Sequence, residues 1–429
     1  MNKNIVGSSP EAVKTAGQIF LERENRIQAA VQLKRPDRIP VILPISYLLA
    51  EIGGITKQEL HDNPDTAQRL LEKAALEFQP DAIFGLFPPD PRPHVILGDR
   101  MVAFPGHGVS PNSEYQFQEQ DFMKAEDYDE FLEDPADWGI RVYLPRVFKQ
   151  LEAFSMLPPL GMFLFGSYNL LNLGVFTAPP LTAAFQAFAR AARATADSLT
   201  VAVRNIQRMA ELGFSSGFVV GSIVLEAPFD FMSDTLRGMR GIMLDLYQRP
   251  EKLLAAEEKV SRLQLKFALA SSEAAGITKC FIPLHRGSDG FMSLPQFEKF
   301  YWPQLQHMML VLIENGITPY VFYEGIWNDR LKYLARLPRG KSAGWFQASD
   351  IFKVKEIAGD TLCIIGGMPN AMLASGTVAE VRERTRQVCQ RVGAGGGFIM
   401  STGVGEMSGS KPGLVKAWVE AAREYGAYP

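Results

Sequence analysis

The chain has 429 residues, of which 47% are hydrophobic and 21% charged, and its formal net charge is −3. That length suits one large α/β barrel or two to three ordinary domains, with apolar content enough for a substantial core. The charge supplies no basic field, which argues against nucleic acid or an anionic membrane surface as a partner.

The first stretch, MNKNIVGSSPEAVK, lacks the apolar run of a secretory signal. No segment reaches the roughly 18 uninterrupted apolar residues of a membrane helix. Cys280, Cys363 and Cys389 cannot form a disulfide framework, so a reducing, cytoplasmic location is expected.

Short apolar runs then recur, most followed by a turn and a helical pattern. They are RIPVILPI (38–45), DAIFGLF (81–87), GFVVGSIVLEAP (217–228), KCFIPLHRGSDG (279–290), ITPYVFYEG (317–325), SAGWFQASD (342–350), LCIIGGMPN (362–370) and GGFIMSTG (396–403). Continuous apolar strands separated by helices are the pattern of a parallel sheet covered on both faces. Helical spacing is clear over 294–316, and each of 376–393 and 352–360 is closed by a glycine. Eight such units predict a single (β/α)8 TIM barrel over 1–429.

Two regions interrupt the alternation. In the Pro-, Asp- and Gly-rich stretch after residue 88, HVILGDRMVAF reads as a hairpin turning at Gly98-Asp99. Residues from about 142 to 214 form an insertion with a long helix, whose apolar faces suit a second subunit; its MFLFGSY run is an alternative strand that would displace one of the eight.

Barrel chemistry sits at the C-terminal ends of the strands, so the polar residues closing each run are the site candidates. These are Glu226; His285, Arg286 and Asp289; Tyr323 and Glu324; Gln347, Ser349 and Asp350; Met368 and Asn370; and Ser401, Thr402 and Glu406. Side chains alternate along a strand, so Phe281, Pro283 and His285 share one face, as do Tyr320, Phe322 and Glu324. Parity can thus aim His285 and Glu324 together at the mouth, with Tyr323 and Cys280 facing the opposite way. The other histidines, His61, His94, His107 and His307, fall in expected loops or inside a helix. A histidine and a glutamate on adjacent strand ends can ligate a metal such as zinc, act as an acid/base pair, or form a solvated ion pair. Glu226 serves equally as a site residue or a helix cap, Asp350 has the position of an N-cap, and GAGGGF reads as a tight turn.

The stretch from Ile364 to Glu406 resembles the closing section of the uroporphyrinogen decarboxylase superfamily, with a Gly-Thr-opened helix and a glycine-rich turn into the last strand. RENRIQAAVQLKRPDRIPV (23–41) resembles the opening of its corrinoid-linked methyltransferase branch, and LEAPFDFMSDTLRG and SLPQFEKFYWPQL are similar too. The resemblance implies a (β/α)8 barrel. It does not carry the tetrapyrrole decarboxylase chemistry: LPISYLLAEIGG has no arginine where those enzymes have an arginine-rich segment, and Gly403-Val404-Gly405 replaces their Gly-His turn. Zinc-binding branch members carry His-x-Cys at the end of strand five and a later cysteine, positions that are Phe322, Glu324 and Val404 here.

The resemblance therefore implies a demethylase-type methyltransferase, moving a methyl group from a small molecule such as an aromatic methyl ether to a cobalamin (corrinoid) carried by a partner protein. Glu324 and His285 would be catalytic or would hold zinc, and Glu226, Arg286, Tyr323, Gln347 and Met368 would contact substrate. The alternatives are a lyase or decarboxylase that anchors a carboxylate on Arg286, and a barrel that binds a small molecule without chemistry.

Overall fold

The computed structural model describes residues 14–86 and 90–428. The first thirteen residues, which bear on the signal-sequence expectation, and Phe87, which closes the second apolar run, lie outside the described residues.

Each of the apolar runs contains a strand: β1 (Ile42–Pro44), β2 (Ala82–Phe84), β3 (Ile223–Val224), β4 (Lys279–Leu284), β5 (Thr318–Tyr323), β6 (Ala343–Phe346), β7 (Cys363–Met368) and β8 (Phe398–Thr402). The fold is mixed α/β. Strands β3 to β8 form one six-stranded sheet in sequence order, β1 and β2 form a second, and every pairing within the two is parallel. Isolated parallel bridges link Val41 to Met400 and Ala82 to Ser215, next to β1 and β8 and between β2 and the segment before β3.

The principal helices are α1 (Ala16–Val31), α2 (Pro64–Phe78), α3 (Pro179–Glu211), α4 (Pro250–Ala275), α5 (Trp302–Glu314), α6 (Ile351–Ala358), α7 (Val378–Arg391) and α8 (Pro412–Tyr425). Their ends follow local chemistry. Asp350 caps α6 by accepting from the Phe352 and Lys353 N–H groups, and Thr377 with Glu380 forms a capping box on α7. Gly276 closes α4 in the left-handed region. Among the described residues no helix is long and apolar enough to cross a membrane.

Two expectations are corrected. The HVILGDRMVAF stretch is a short helix, Arg92–Leu97, followed by a strand, Val102–Pro105; Gly98, at φ 66°, ends the helix instead of turning a hairpin. The same left-handed glycine suits either role, and Pro93 at the helix start tips the balance. MFLFGSY lies in 3-10 turns, Leu160–Thr177, and adds no strand. His61 and His94 sit in short helices, Lys57–Asp62 and Arg92–Leu97, not in loops.

Strand parity divides the apolar interior. Ile42, Phe84, Phe281, Tyr320, Phe322, Trp345, Cys363, Ile365 and Ile399 form an inner cluster with Phe218. Alternate residues, among them Cys280, Ile282, Val321, Tyr323, Ile364 and Met368, pack in a separate cluster with the helices. The inner space is filled by aromatic rings: Trp345 meets Phe84, Phe218 and Phe322 at centroid distances of 6.3, 5.6 and 4.6 Å. It is a packed core and not a pore, so no ligand passes through its centre.

Candidate active site

The β4–β5 ladder pairs Leu284 with Tyr323, which puts His285 and Glu324 at the next step, where the strands end. Phe281 and Phe322 in the inner cluster fix the parity, so both polar side chains follow the inward direction. Their surroundings come largely from the segment after β3. There Pro228–Asp230 begins a helix that widens into a π-turn, Phe231–Arg237.

Asp230 is fully buried and ties the β4 end in place. Its carboxylate accepts the backbone N–H of His285 and of Arg286, both at 2.9 Å, and the Tyr301 hydroxyl at 2.6 Å. Asp234 contacts His285 Nδ1 through Oδ2 at 2.5 Å and Arg286 Nε through Oδ1 at 3.0 Å. Arg286 Nη2 also donates to Glu119, at 2.6 Å. The guanidinium is therefore engaged by two protein carboxylates.

The electrostatics follow from burial and this crowding of acids. Burial alone would lower the His285 pKa, but the Asp234 contact and the charges of Asp230 and Glu324 outweigh it and push it up to about 9. His285 is thus a cation at neutral pH. Burial, and then the Asp234 charge, raise Glu226 to about 7. Burial and the Asp234 charge raise Asp230 to about 6, against the opposing pull of His285 and the Tyr301 hydroxyl. Glu324 is raised chiefly by burial, against the opposing pull of His285 and Arg286.

Glu324 and His285 face each other with no direct hydrogen bond between them. The Asp234 contact at Nδ1 leaves Nε2 as the imidazolium's outward donor. The His285 side chain keeps 31% of its surface exposed, so the ring as a whole is not sealed in the core.

Other sequence candidates are placed differently. Gln347 Oε1 accepts the Gly325 N–H at 2.6 Å, which ties the β5 and β6 ends together. Glu226 does not cap the helix after it; its backbone N–H and C=O pair with Gln264, and its carboxyl meets only the Thr235 hydroxyl, at 3.4 Å. Asp289 holds Arg330, Ser349 accepts from the Trp327 N–H, and Asn370, Ser401 and Thr402 bond to backbone carbonyls. Tyr323 and Met368 are corrected: both are buried on the helix side, Tyr323 stacked on Phe346 at 4.8 Å, and neither faces the mouth. The odd positions of β5 point outward, and Met368 shares the helix-side parity of Ile364 on β7.

The pattern positions Phe322, Glu324 and Val404 offer a single donor, and His285 Nδ1 is engaged by Asp234. Among the described residues no group of three or more His, Cys, Asp and Glu is arranged to hold a metal ion. The donor set does not fit zinc.

Behind the site, Glu257 on α4 is fully buried and neither carboxyl oxygen has a hydrogen-bond partner. Burial, with the Asp230 charge, raises its pKa well above the ordinary value. A group raised in this way favours the fold below its unfolded pKa of 4.5 and loses that contribution as pH rises. Glu257→Leu is therefore expected to stabilise the protein by about 1 kcal/mol or more at pH 8 and by less at pH 5. Melting curves at the two pH values check this; a larger gain at pH 5 contradicts it.

A family model described as uroporphyrinogen decarboxylase (URO-D) matches residues 175–425, from just before α3 to the end of α8. Among solved structures, a methyltransferase from Methanosarcina mazei is similar over 94% of this chain and 98% of its own, with a TM-score of 0.60 and 16% identity. At that identity the likeness is one of fold. No curated protein matches the chain significantly.

Proposed function

The chain belongs to the uroporphyrinogen decarboxylase family, and from that premise we propose that it is a methyltransferase that demethylates a small methyl ether. In this reading β1 to β8 close as a (β/α)8 barrel, for which the Val41–Met400 and Ala82–Ser215 bridges are the support. The observation that carries the chemistry is His285, held as a cation by Asp234 with its Nε2 turned to the mouth. The methyltransferase fold of the Methanosarcina mazei protein is consistent with it.

Cleaving an ether C–O bond leaves the electron pair on oxygen, and the leaving group improves greatly if that oxygen is protonated as the bond breaks. His285 Nε2 gives this proton; Asp234 keeps the ring oriented and stabilises the charged form. Glu324 lies on the adjacent strand end, its raised carboxyl placed to position the ether or to return the proton afterwards. When bound, a corrinoid carried by a partner protein would supply the nucleophile that takes the methyl group. The partly exposed cluster leaves the mouth accessible to such a partner.

The decarboxylase alternative requires a cation for the substrate carboxylate. Arg286, assigned that task from sequence, is engaged by Asp234 and Glu119, so nothing at this position favours it.

The test is methyl transfer from a panel of methyl ethers to free or protein-bound cob(I)alamin, followed spectroscopically. Turnover that falls by at least about 100-fold in His285→Gln and at least about 10-fold in Glu324→Gln is expected, in kcat more than KM. Unchanged turnover in both variants removes these residues from the mechanism, and a silent panel removes the methyltransferase reading.

A further inference from the structure

Between β2 and β3 there is no continuous ladder. After the Ala82–Ser215 bridge, residues 217–221 run through turns, with Gly217 and Gly221 at φ 75° and 79°. A Cβ on Gly217 would lie 3.3 Å from the Phe84 ring, so the turn passes hard against β2. At this seam, under α2 and α3, is a chamber of about 650 Å3, walled by Leu49, Leu71, Ile83, Phe84, Ile206 and Val219.

The chamber borders the inner aromatic cluster and the strand that leads to Glu226. Phe84 and Val219 belong both to its wall and to the inner aromatic cluster. On β3, Ile223 and Leu225 pack with the helices, so Val224 faces the other way and lines the chamber. Glu226 shares that direction one strand repeat further on, roughly 6–7 Å away, and is coupled electrostatically to Asp234 and His285.

The charged side chains in its wall are already paired. Arg92 bonds to Asp90 at 2.7 Å and His107 to Asp62 at 3.0 Å. At the site itself, His285 and Arg286 are engaged by Asp234 and Glu119, while Glu226 and Glu324 have no cationic hydrogen-bond partner. Among the described residues, an anionic ligand would meet surplus carboxyls and no unpaired cation in these walls. Size adds a second restriction: an apolar cavity of about 150 Å3 takes one benzene ring, and 650 Å3 is roughly four times that.

Resting on the methyltransferase reading, we propose that this chamber holds the body of the methyl donor, an uncharged and predominantly apolar ether of two or more rings. Its methyl-bearing oxygen points past Glu226 toward His285. Asn205 on α3, whose shielded side-chain oxygen has no hydrogen-bond partner, lines the chamber and can accept from a hydroxyl on that body.

Binding of 2-methoxynaphthalene, read by its own fluorescence, tests the chamber without requiring turnover. Anisole and 6-methoxy-2-naphthoate serve as the smaller and the anionic comparison, each measured by displacement. The naphthyl ether is expected to bind at least about 10-fold tighter than either. Val219→Trp, which fills the chamber, is expected to weaken it at least about 10-fold. Leu199→Arg keeps the test sound if that variant misfolds, because Leu199 lies on the rim with 63% of its surface exposed; there a loss of about 5-fold is expected. Affinity unchanged in the folded variants, or a naphthoate that binds as well as the ether, overturns the proposal. Methyl transfer from anisole as efficient as from the naphthyl ether would overturn the chamber alone. Chamber-dependent binding with no transfer from any ether would instead remove the methyltransferase reading and leave the binding site.

Discussion

Asp234→Asn is expected to lower the His285 pKa from about 9 by more than one unit and to reduce turnover by roughly 100- to 1000-fold. The substitution preserves size and hydrogen-bonding capacity but removes the charge that holds the imidazolium, at 2.5 Å from Nδ1. Asp230 and Glu324 still favour the cation, so the shift should be partial. The direction with pH is fixed by the raised value. A histidine whose folded pKa exceeds its unfolded one stabilises the fold fully below about 6.5, and loses that contribution as pH climbs through about 9. The wild type should therefore lose stability and acid catalysis together on the alkaline side, and the variant should lose both at lower pH. The titration of His285 by NMR checks this without any assay of function, and a ring that still titrates near 9 in the variant defeats the assignment. The pH–rate profile is the second check: a structural role for Asp234 would lower the rate without moving the alkaline limb.

What the sequence showed and what it hid differ in kind. The apolar runs and the alternation along KCFIPLHR and PYVFYEG are local patterns, and the ladder from Lys279–Thr318 to Leu284–Tyr323 turns them into the His285–Glu324 juxtaposition. Asp230 and Asp234 were missed, although a signal was there: they stand four residues apart just after Pro228, a spacing that a helix places on one face. In LEAPFDFMSD the strand end and the helix that follows are both legible, but which acids of that helix meet the β4 end is not. Glu119 could not be read at all. It reaches Arg286 across 167 positions of chain, from an excursion whose path depends on packing. Tyr323 fell to parity, because a polar group at a strand end is useful only on the inward side. Glu257 sits in an otherwise ordinary amphipathic helix, and only the tertiary structure shows it sealed against α5 and Asp230 without a partner.

Asp81→Ala is expected to cost about 3–5 kcal/mol of stability while leaving the chemistry of the folded molecules nearly intact. Asp81 precedes β2 at the N-terminal end of the strands, opposite the site, where barrels place stability and not catalysis. It is fully buried and accepts both Arg38 Nη1, at 2.7 Å, and Arg38 Nη2, at 2.8 Å. It also accepts from Arg26 Nη1 on α1 and from the Val41 N–H, the latter at 2.8 Å. One carboxylate thus fastens α1, the lead into β1 and the start of β2. Removing it leaves the partly buried Arg38 guanidinium and the Val41 N–H without acceptors, which costs more than the ion pair itself contributes. Arg26 retains Asp37 through Nε and Nη2, both at 2.6 Å, so the loss should fall mainly on Arg38 and Val41. Urea denaturation of wild type, Asp81→Asn and Asp81→Ala separates the terms, since asparagine keeps an acceptor for one of them and alanine keeps none. If asparagine and alanine lower the midpoint equally, the charge dominates; if alanine barely moves it, water replaces the carboxylate and the N-terminal end of the strands is held by apolar packing alone. Either way kcat per folded molecule should stay within about 3-fold of the parent, the contrast with Asp234→Asn that distinguishes the two ends of the strands.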